Sequence, residues 1–221
     1  MKWHTARWVL ALAGAALLAG TLIAGSRLGR EVSLASFTTD LAGRSEAQRK
    51  NIVLGLARLE GTVIPPRALF SFNETVGRRV IDDGFERAPA LTLEGVQDSP
   101  GGGICQLSST LYNAALLAGL GIVERWPHLR PILSVGPGRD ATVEYGRFDL
   151  RLLNPHPFSV RLGGRVEGER LVVEIRGGAP LTRSVSVRVE RTREAGRQMR
   201  VCTWRRVGDR EERVSNDLYP L

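Results

Sequence analysis

The sequence contains few cysteines, lysines and aromatic residues. It has two cysteines in 221 residues, and aromatic side chains make up 6% of it. So few cysteines exclude a small domain held together by disulfides. They also lack the C-x-x-C spacing of a structural zinc site. No recognition helix, zinc-finger spacing or aromatic RNA-binding motif is found in the sequence, so we expect no nucleic-acid partner.

The charge of the chain is strongly positive and is carried by arginine. The formal net charge is +8, and Lys2 and Lys50 are the only lysines. A hydrophobic fraction of 43% is typical of a globular protein with its own core. Excess positive charge favours an anionic partner, such as a membrane surface or the anionic polymers of a cell wall.

The first residues have the pattern of an export segment. Lys2, His4 and Arg7 precede the run WVLALAGAALLAGTLIAG at residues 8–25, and the next charge is Arg27. A basic flank before an apolar run is typical of a signal peptide, and this run is also long enough to span a bilayer. We therefore predict that residues 1–30 form a signal peptide or membrane anchor. The remainder is then membrane-anchored or secreted, on the extracytoplasmic face of the envelope.

The rest of the chain divides into helices followed by strands. Residues 45–59 predict an amphipathic helix with Ser45 as N-cap, residues 75–100 a loop or lid, and residues 105–118 a second helix. Short alternating segments at 130–135, 141–145, 150–153, 159–162, 171–175 and 184–189 predict strands. This order indicates an α+β fold, in which a central cysteine-bearing helix packs on a mainly antiparallel sheet. We assign residues 31–178 to the main domain and 179–221 to a small β-rich extension packed on it.

The most informative segment is SPGGGICQLSSTLYNA at residues 99–114. It places Cys105 at the start of a helix, where the helix dipole favours a thiolate. Gly102 and Gly103 expose backbone N–H groups to an oxyanion, and Gln106 offers a side-chain donor. Ser109 lies one turn further along the same face. The alternatives are a cysteine buried as a small apolar residue and a disulfide with Cys202.

A nucleophilic cysteine needs a base and a group that orients it. His128 follows the cysteine helix, whereas His156 lies between two prolines, as in a structural position. A regular hairpin would bring Asp149 close to His128. Asp140 fits only if Pro127 and Pro131 keep the intervening chain irregular.

Other readings of these polar residues remain open. Asn154 is a further candidate for orienting His128. A zinc site built from both cysteines with His128 and His156 has no supporting ligand spacing. We therefore expect neither a metal nor a cofactor.

Several segments resemble the VanW family. They are FSFNETVG, DDGFERAPAL, GGGICQLSSTLYNAALLAGLGIVERWPH, GRDATVEYG and DLRLLN, within residues 37–178. The resemblance implies a role in the bacterial cell envelope, because the family takes its name from glycopeptide-resistance gene clusters. Some clostridial members are reported to act as L,D-transpeptidases on peptidoglycan stem peptides through the cysteine.

Carried over residue by residue, the resemblance implies Cys105 as the acyl-enzyme nucleophile. His128 and Asp140 fall within matching segments, and Asn73 of FSFNETVG becomes a substrate-binding candidate. The sequence lacks the S-H-G-C-x-R pattern of the common L,D-transpeptidase domain, so the geometry of that site is not transferred. The rival functions are a non-catalytic wall-binding protein and a structural accessory of a resistance complex.

Overall fold

Strands outnumber helices in the part of the chain that the structure describes. A computed structural model describes residues 31–92 and 95–221, and Glu31–Leu221 form one compact unit. Within those residues no helix is long and apolar enough to cross a membrane. The predicted signal or anchor segment, residues 1–30, lies outside the described residues.

The described elements alternate between short helices and strands, with the longest strands at the end. In chain order they are β1 (Val32–Asp40), α1 (Glu46–Leu59), β2 (Val63–Ile64), β3 (Leu69–Ser71), α2 (Phe72–Val76), a 3-10 turn (Ile81–Asp83), β4 (Arg87–Thr92), β5 (Gly95–Pro100), α3 (Ile104–Leu117), β6 (Gly121–Glu124), β7 (Arg151–Leu153), β8 (Val160–Glu167), β9 (Arg170–Gly177), β10 (Val185–Glu194), β11 (Gln198–Val207) and β12 (Arg210–Pro220).

These strands form several small antiparallel sheets. A four-stranded sheet has the order β1-β9-β8-β2, β3-β7-β6 form a second sheet, β10-β11-β12 a third, and β4-β5 are a hairpin. Every strand pair among the described residues is antiparallel. The prediction of an α+β fold with mainly antiparallel sheets is confirmed.

Helix α1 forms where the sequence predicted it. The Ser45 hydroxyl accepts a hydrogen bond from the Gln48 backbone N–H at 3.2 Å, and the Gln48 side chain accepts one from the Ser45 N–H at 3.1 Å. This reciprocal pair satisfies two N–H groups that a helix otherwise leaves free. The apolar positions Ile52, Leu56 and Leu59 are buried and hold α1 on the core.

Helix α3 carries Cys105 as its second residue and is buried along nearly its whole length. Its residues other than Cys105 and Leu117 are buried, and it contacts α1 and the four-stranded sheet. The glycines before it allow this close approach. A Cβ on Gly102 would lie 2.3 Å from the Ala88 carbonyl oxygen, and one on Gly103 would lie 3.0 Å from that of Gln48. Gly103 also has a φ of +100°, which only glycine adopts readily.

Two sequence-based predictions for the segments before and after α3 were wrong. Residues 130–135 and 141–145 do not form strands, and the region keeps only isolated bridges such as Trp126–Thr142. Pro127, Pro131 and Pro137 remove backbone donors there, which prevents a regular hairpin. Residues 75–100 were expected as a loop or lid, but they include the 3-10 turn and the β4–β5 hairpin.

The third sheet joins the rest of the unit through buried polar side chains of β11 and β12. Thr203 donates to the Gly138 carbonyl oxygen at 2.8 Å, and Arg205 of β11 donates to the Leu120 carbonyl oxygen after α3. Tyr219 near the end of β12 is fully buried. Residues beyond 178 therefore contact the segment that follows α3.

Candidate active site

The Cys105 thiol lies in the wall of a cleft of about 780 Å³. The cleft is bounded by the first turn of α3, the β4–β5 hairpin and residues 128–134 and 142–147. Cys105 is half-buried, and its Sγ lies 3.6 Å from the Val143 carbonyl oxygen. Cys105 therefore lines the cleft as a free thiol, since neither cysteine forms a disulfide.

His128 and Asp140 form a hydrogen-bonded pair that interacts with the Cys105 thiol. Asp140 Oδ2 lies 2.8 Å from His128 Nδ1 and accepts the His128 backbone N–H at 2.6 Å. Nδ1 is therefore held by the carboxylate, which leaves Nε2 as the ring nitrogen for the thiol. His128 and Cys105 are close enough that each shifts the pKa of the other. This is the order of nucleophile, base and orienting acid that activated cysteines require.

The Asp140 carboxylate is fixed by two further donors. Its Oδ1 accepts from Arg125 Nη2 at 2.8 Å and from the Tyr219 hydroxyl at 2.6 Å. Arg125 also pairs with Asp217 Oδ2 at 2.5 Å. Both Arg125 and Asp140 are almost wholly buried, so these bonds are shielded from water. Arg125, directly after β6, and Tyr219 of β12 therefore hold the carboxylate that contacts His128.

The ionisation of the three groups is strongly coupled. Burial raises the pKa of Cys105, but the hydrogen bond and charge of His128 outweigh it, and the pKa ends below its ordinary value. For His128, burial opposes the charged form, but hydrogen bonds to Asp140 and Cys105 raise its pKa to about 9. The pKa of Asp140 falls to about 2, because hydrogen bonds from His128 and the charge of Arg125 outweigh burial. At neutral pH these directions favour a thiolate–imidazolium pair.

Backbone donors beside the thiol are available to an oxyanion. In the described chain, the N–H groups of Gly103 and Cys105 donate to no protein acceptor. The Gly102 N–H is already engaged, because it donates to the Ser99 carbonyl oxygen at 3.1 Å. Its own carbonyl accepts from Asn51 Nδ2, so Gly102 serves packing rather than an oxyanion.

The side chains of Gln106, which lines the cleft, and of Ser109, which does not, are both engaged in hydrogen bonds within the fold. Gln106 Nε2 donates to Thr39 Oγ1 at 3.0 Å and to the Asp40 carbonyl oxygen at 2.8 Å. Gln106 is 3% exposed, so this amide has no donor left for an oxyanion. Ser109 is fully buried, and its hydroxyl accepts the Ala141 N–H at 2.9 Å. Both side chains are thus held by hydrogen bonds within the fold.

Asp149 and Asn73 lie beside the cleft but contact neither Cys105 nor His128. Asp149 Oδ2 accepts from Ser71 Oγ at 2.5 Å, and Oδ1 accepts the Asn73 N–H at 2.9 Å. Asp149 is therefore a cap for α2, and Asp140 is the orienting acid. The Asn73 amide donates to the Glu144 and Phe148 carbonyl oxygens and accepts from Arg79 at 2.8 Å.

The remaining candidates have structural roles. The Asn154 amide donates to the Ile64 and Phe158 carbonyl oxygens, far in sequence from His128, so it does not orient the base. His156 Nε2 lies 2.9 Å from the Ala118 carbonyl oxygen, as expected for a structural histidine. Cys202 lies on β11 beside Asn216 Oδ1. The described residues contain no group of three or more side chains able to hold a metal ion.

Three important residues were missed by sequence reasoning. Arg79 lines the cleft, and Arg125 and Tyr219 fix Asp140. Arginine is so common in this chain that no local signal separates Arg79 or Arg125 from the surface arginines. Tyr219 lies outside the segments on which the family resemblance rests.

Comparisons with known proteins cover the part of the chain that builds this site. The family model described as VanW like protein matches residues 47–176. "Uncharacterized protein YoaR" of Bacillus subtilis (strain 168) is 35% identical over 142 residues, which are 64% of this chain and 47% of that protein. "Vancomycin B-type resistance protein VanW" of Enterococcus faecalis (strain ATCC 700802 / V583) is 25% identical over 130 residues, with coverages of 57% and 47%.

The chain spans about half the length of these curated relatives. No solved structure matches it. The matched region of the family model includes Cys105, His128 and Asp140, whereas Asp217 and Tyr219 lie beyond it.

Proposed function

The chain belongs to the VanW-like protein family, and from that premise we propose that it is an exported cysteine acyltransferase acting on peptidoglycan stem peptides. The observation that carries the proposal is the grouping of Cys105, His128 and Asp140 at an open cleft, in which His128 is hydrogen-bonded to Asp140 and electrostatically coupled to the thiol. Structural cysteines do not need a base with its own carboxylate, whereas thiol nucleophiles do.

The substrate class rests on the family. One relative is named a vancomycin B-type resistance protein, and the resemblance implies action on stem peptides in the cell envelope. The positive net charge of +8 suits an anionic wall, and the apolar run at residues 8–25 would carry the chain to the membrane. In this proposal α3 is the central element on which the site is built, since it presents Cys105 from an otherwise buried helix.

The first half of the reaction forms a thioester. The Cys105 thiolate attacks the carbonyl carbon of a stem peptide bond, and the electron pair moves to the carbonyl oxygen. The N–H groups of Gly103 and Cys105 donate to that oxygen, since they have no acceptor in the described chain. The C–N bond then breaks, and the imidazolium of His128 donates its proton to the leaving amine.

The second half releases the acyl group from the sulfur. The amine of a second stem attacks the thioester carbonyl, and neutral His128 accepts its proton. Collapse of the intermediate breaks the C–S bond, restores the thiolate and leaves a new peptide bond. Water in place of the amine gives a shortened stem and a carboxypeptidase outcome.

The test uses the full chain, purified in mild detergent, with tetrapeptide muropeptides analysed by mass spectrometry. We expect cross-linked dimers or shortened stems and a thioester adduct at Cys105, all lost in Cys105→Ala. Cys202→Ser is the matched control and retains the reaction, because Cys202 lies outside the cleft. Unchanged muropeptides with wild-type protein, and no adduct, would indicate a non-catalytic binding or accessory protein instead.

A further inference from the structure

Arg79 has the properties of an anion-binding side chain inside the cleft. It follows α2 by three residues and lines the same cleft as Cys105. We infer that Arg79 forms a subsite that binds a carboxylate group of the substrate beside the reacting thiol. The inference rests on the proposed function for the identity of the substrate, and on the geometry of Arg79 for the chemistry of the group.

The positive charge of Arg79 has no carboxylate partner in the described chain. A guanidinium has five N–H groups. Arg79 uses Nη1 to donate to the Gly77 carbonyl oxygen and Nη2 to donate to Asn73 Oδ1, both at 2.8 Å. No carboxylate oxygen of the described residues lies within 4.0 Å of it. Three N–H groups therefore remain for a ligand.

The two acidic side chains whose charges act on Arg79 are already engaged. Asp149 accepts from Ser71 and from the Asn73 backbone, and Glu144 pairs with Arg147 at 3.6 Å. Burial lowers the pKa of Arg79, as expected for a guanidinium removed from water without an ion pair. The Cys105 thiol is the charged group that acts most strongly on Arg79, and a partly desolvated cation with no carboxylate partner still gains from an anionic ligand.

The surrounding chain holds Arg79 in place. A Cβ on Gly101 would lie 2.6 Å from Arg79 Cβ, so the glycine leaves room for the arginine stem. The guanidinium carbon lies 5.9 Å from the centre of the Tyr145 ring, and Asn73 fixes one end. An immobilised guanidinium loses little side-chain entropy when it binds.

A second unpaired arginine makes this part of the cleft more positive. Arg44 Nε donates to Gln106 Oε1 at 2.6 Å, and Gln106 follows Cys105 in sequence. The cleft lining contains Arg44, Arg78, Arg79 and Arg147, against Glu144 as the acid among described residues. This balance favours an anionic substrate over a neutral or cationic one.

The planar fork of arginine matches the two oxygens of a carboxylate. In a stem peptide that group has two sources. One is the C-terminal carboxylate of the residue that leaves, and the other is a free carboxylate on an interior acidic residue of the stem. Both have the same chemistry, so amidation of one or the other distinguishes them.

Binding is measured on the full chain with Cys105→Ala, which cannot react, by titration calorimetry. The probes are a stem tetrapeptide with all carboxylates free, the same peptide as its C-terminal amide, and the peptide with its interior carboxylates amidated. We expect one amide to bind about 10-fold to 100-fold more weakly than the free acid. Adding Arg79→Gln weakens the free acid by a similar factor and removes the discrimination.

Arg193→Gln is the matched control, since Arg193 is exposed on β10, outside the cleft, and changes the net charge equally. If Arg79→Gln lowers the melting temperature, Arg79→Lys keeps the charge and is expected to recover part of the affinity. Equal affinity for the acid and both amides, no measurable binding of any peptide, or an equal loss in Arg193→Gln would overturn the subsite.

The subsite and the proposed reaction fail independently. Product formation by wild-type protein without acid–amide discrimination leaves the reaction and removes the subsite. Carboxylate-dependent binding through Arg79 without product or thioester supports the subsite and removes the acyl transfer.

Discussion

Cys105 depends on its neighbours for reactivity, because its position in the fold works against ionisation. Burial alone raises the pKa of this thiol, and the hydrogen bond and charge of His128 reverse that effect. The helix start contributes as well, but its first turn has a glycine N-cap without a side-chain bond. We therefore expect the loss of the His128 imidazole to change the pKa of the Cys105 thiol more than the loss of any other neighbouring group.

Replacing His128 with alanine in a Cys202→Ser background should raise the pKa of the Cys105 thiol. Burial then acts without the opposing hydrogen bond and charge. We expect alkylation by iodoacetamide at pH 6.5 to slow by about tenfold or more, since the rate follows the thiolate fraction. The measurement is the pH profile of the alkylation rate. The same profile in the two proteins would contradict the assigned contact between His128 and Cys105.

Tyr219 tests whether the last strand supports the site. Tyr219→Phe removes the hydroxyl that donates to Asp140 at 2.6 Å and accepts the Gly138 N–H at 3.0 Å. We expect a loss of about 0.5–1.5 kcal/mol in the free energy of unfolding, measured in urea. The pKa of Asp140 should rise at the same time. Tyr145→Phe, which alters an exposed side chain, serves as the control and should change little.

At the scale of elements, the glycines before α3 set how closely the helix approaches its neighbours. Gly102 lies against the β4 backbone, and Gly103 lies against α1. The absence of side chains at Gly102 and Gly103 therefore permits close packing as well as access for a substrate. This arrangement explains why three glycines precede a cysteine that is itself half-buried.

Gly102→Ala should therefore destabilise the protein through a steric clash. Its Cβ would lie 2.3 Å from a backbone oxygen, which cannot move as a flexible side chain would. We expect a loss of about 1–3 kcal/mol in the free energy of unfolding and slower Cys105 alkylation, because the first turn of α3 must shift. In the control Gly178→Ala the new Cβ would lie 3.6 Å from its nearest neighbour, so the free energy of unfolding should change little.

The sequence was most informative where local rules decide the structure. Ser45 caps α1 as predicted, and the alternation at 184–189 became part of β10. Local rules fail where contacts between residues far apart in the sequence determine the structure. Asp140 reaches His128 because prolines keep residues 127–140 irregular, and Tyr219 reaches Asp140 from a separate sheet. The spacing of these residues along the sequence does not reveal either contact.

For the whole molecule, the buried carboxylate links the site to acid stability. The pKa of Asp140 falls from 3.8 to about 2 on folding. A depressed pKa contributes stability that is present above pH 4 and is lost as the pH falls towards 2. We expect urea denaturation to show a steeper loss between pH 4 and pH 2 in wild type than in Asp140→Asn. Equal acid sensitivity of the two proteins would contradict the assigned ionisation.

The Cys105–His128 pair should add little pH dependence near neutrality. Folding lowers the pKa of Cys105 and raises that of His128, which favours moving a proton from the thiol to the imidazole rather than gaining or losing one. Equal proton counts give no slope in stability with pH. The loss of stability in acid therefore tests the ionisation of Asp140, whereas the pH profile of Cys105 alkylation tests the Cys105–His128 pair.

The contact between Tyr219 and Asp140 also has a consequence for biosynthesis. A ribosome finishes α3 and the segment with His128 well before it adds β12, because synthesis runs from the amino to the carboxyl end. Until that last strand docks, the carboxylate behind His128 lacks its tyrosine donor and the Asp217 partner of Arg125. A nascent chain thus carries its thiol in a less activated form than the finished protein does.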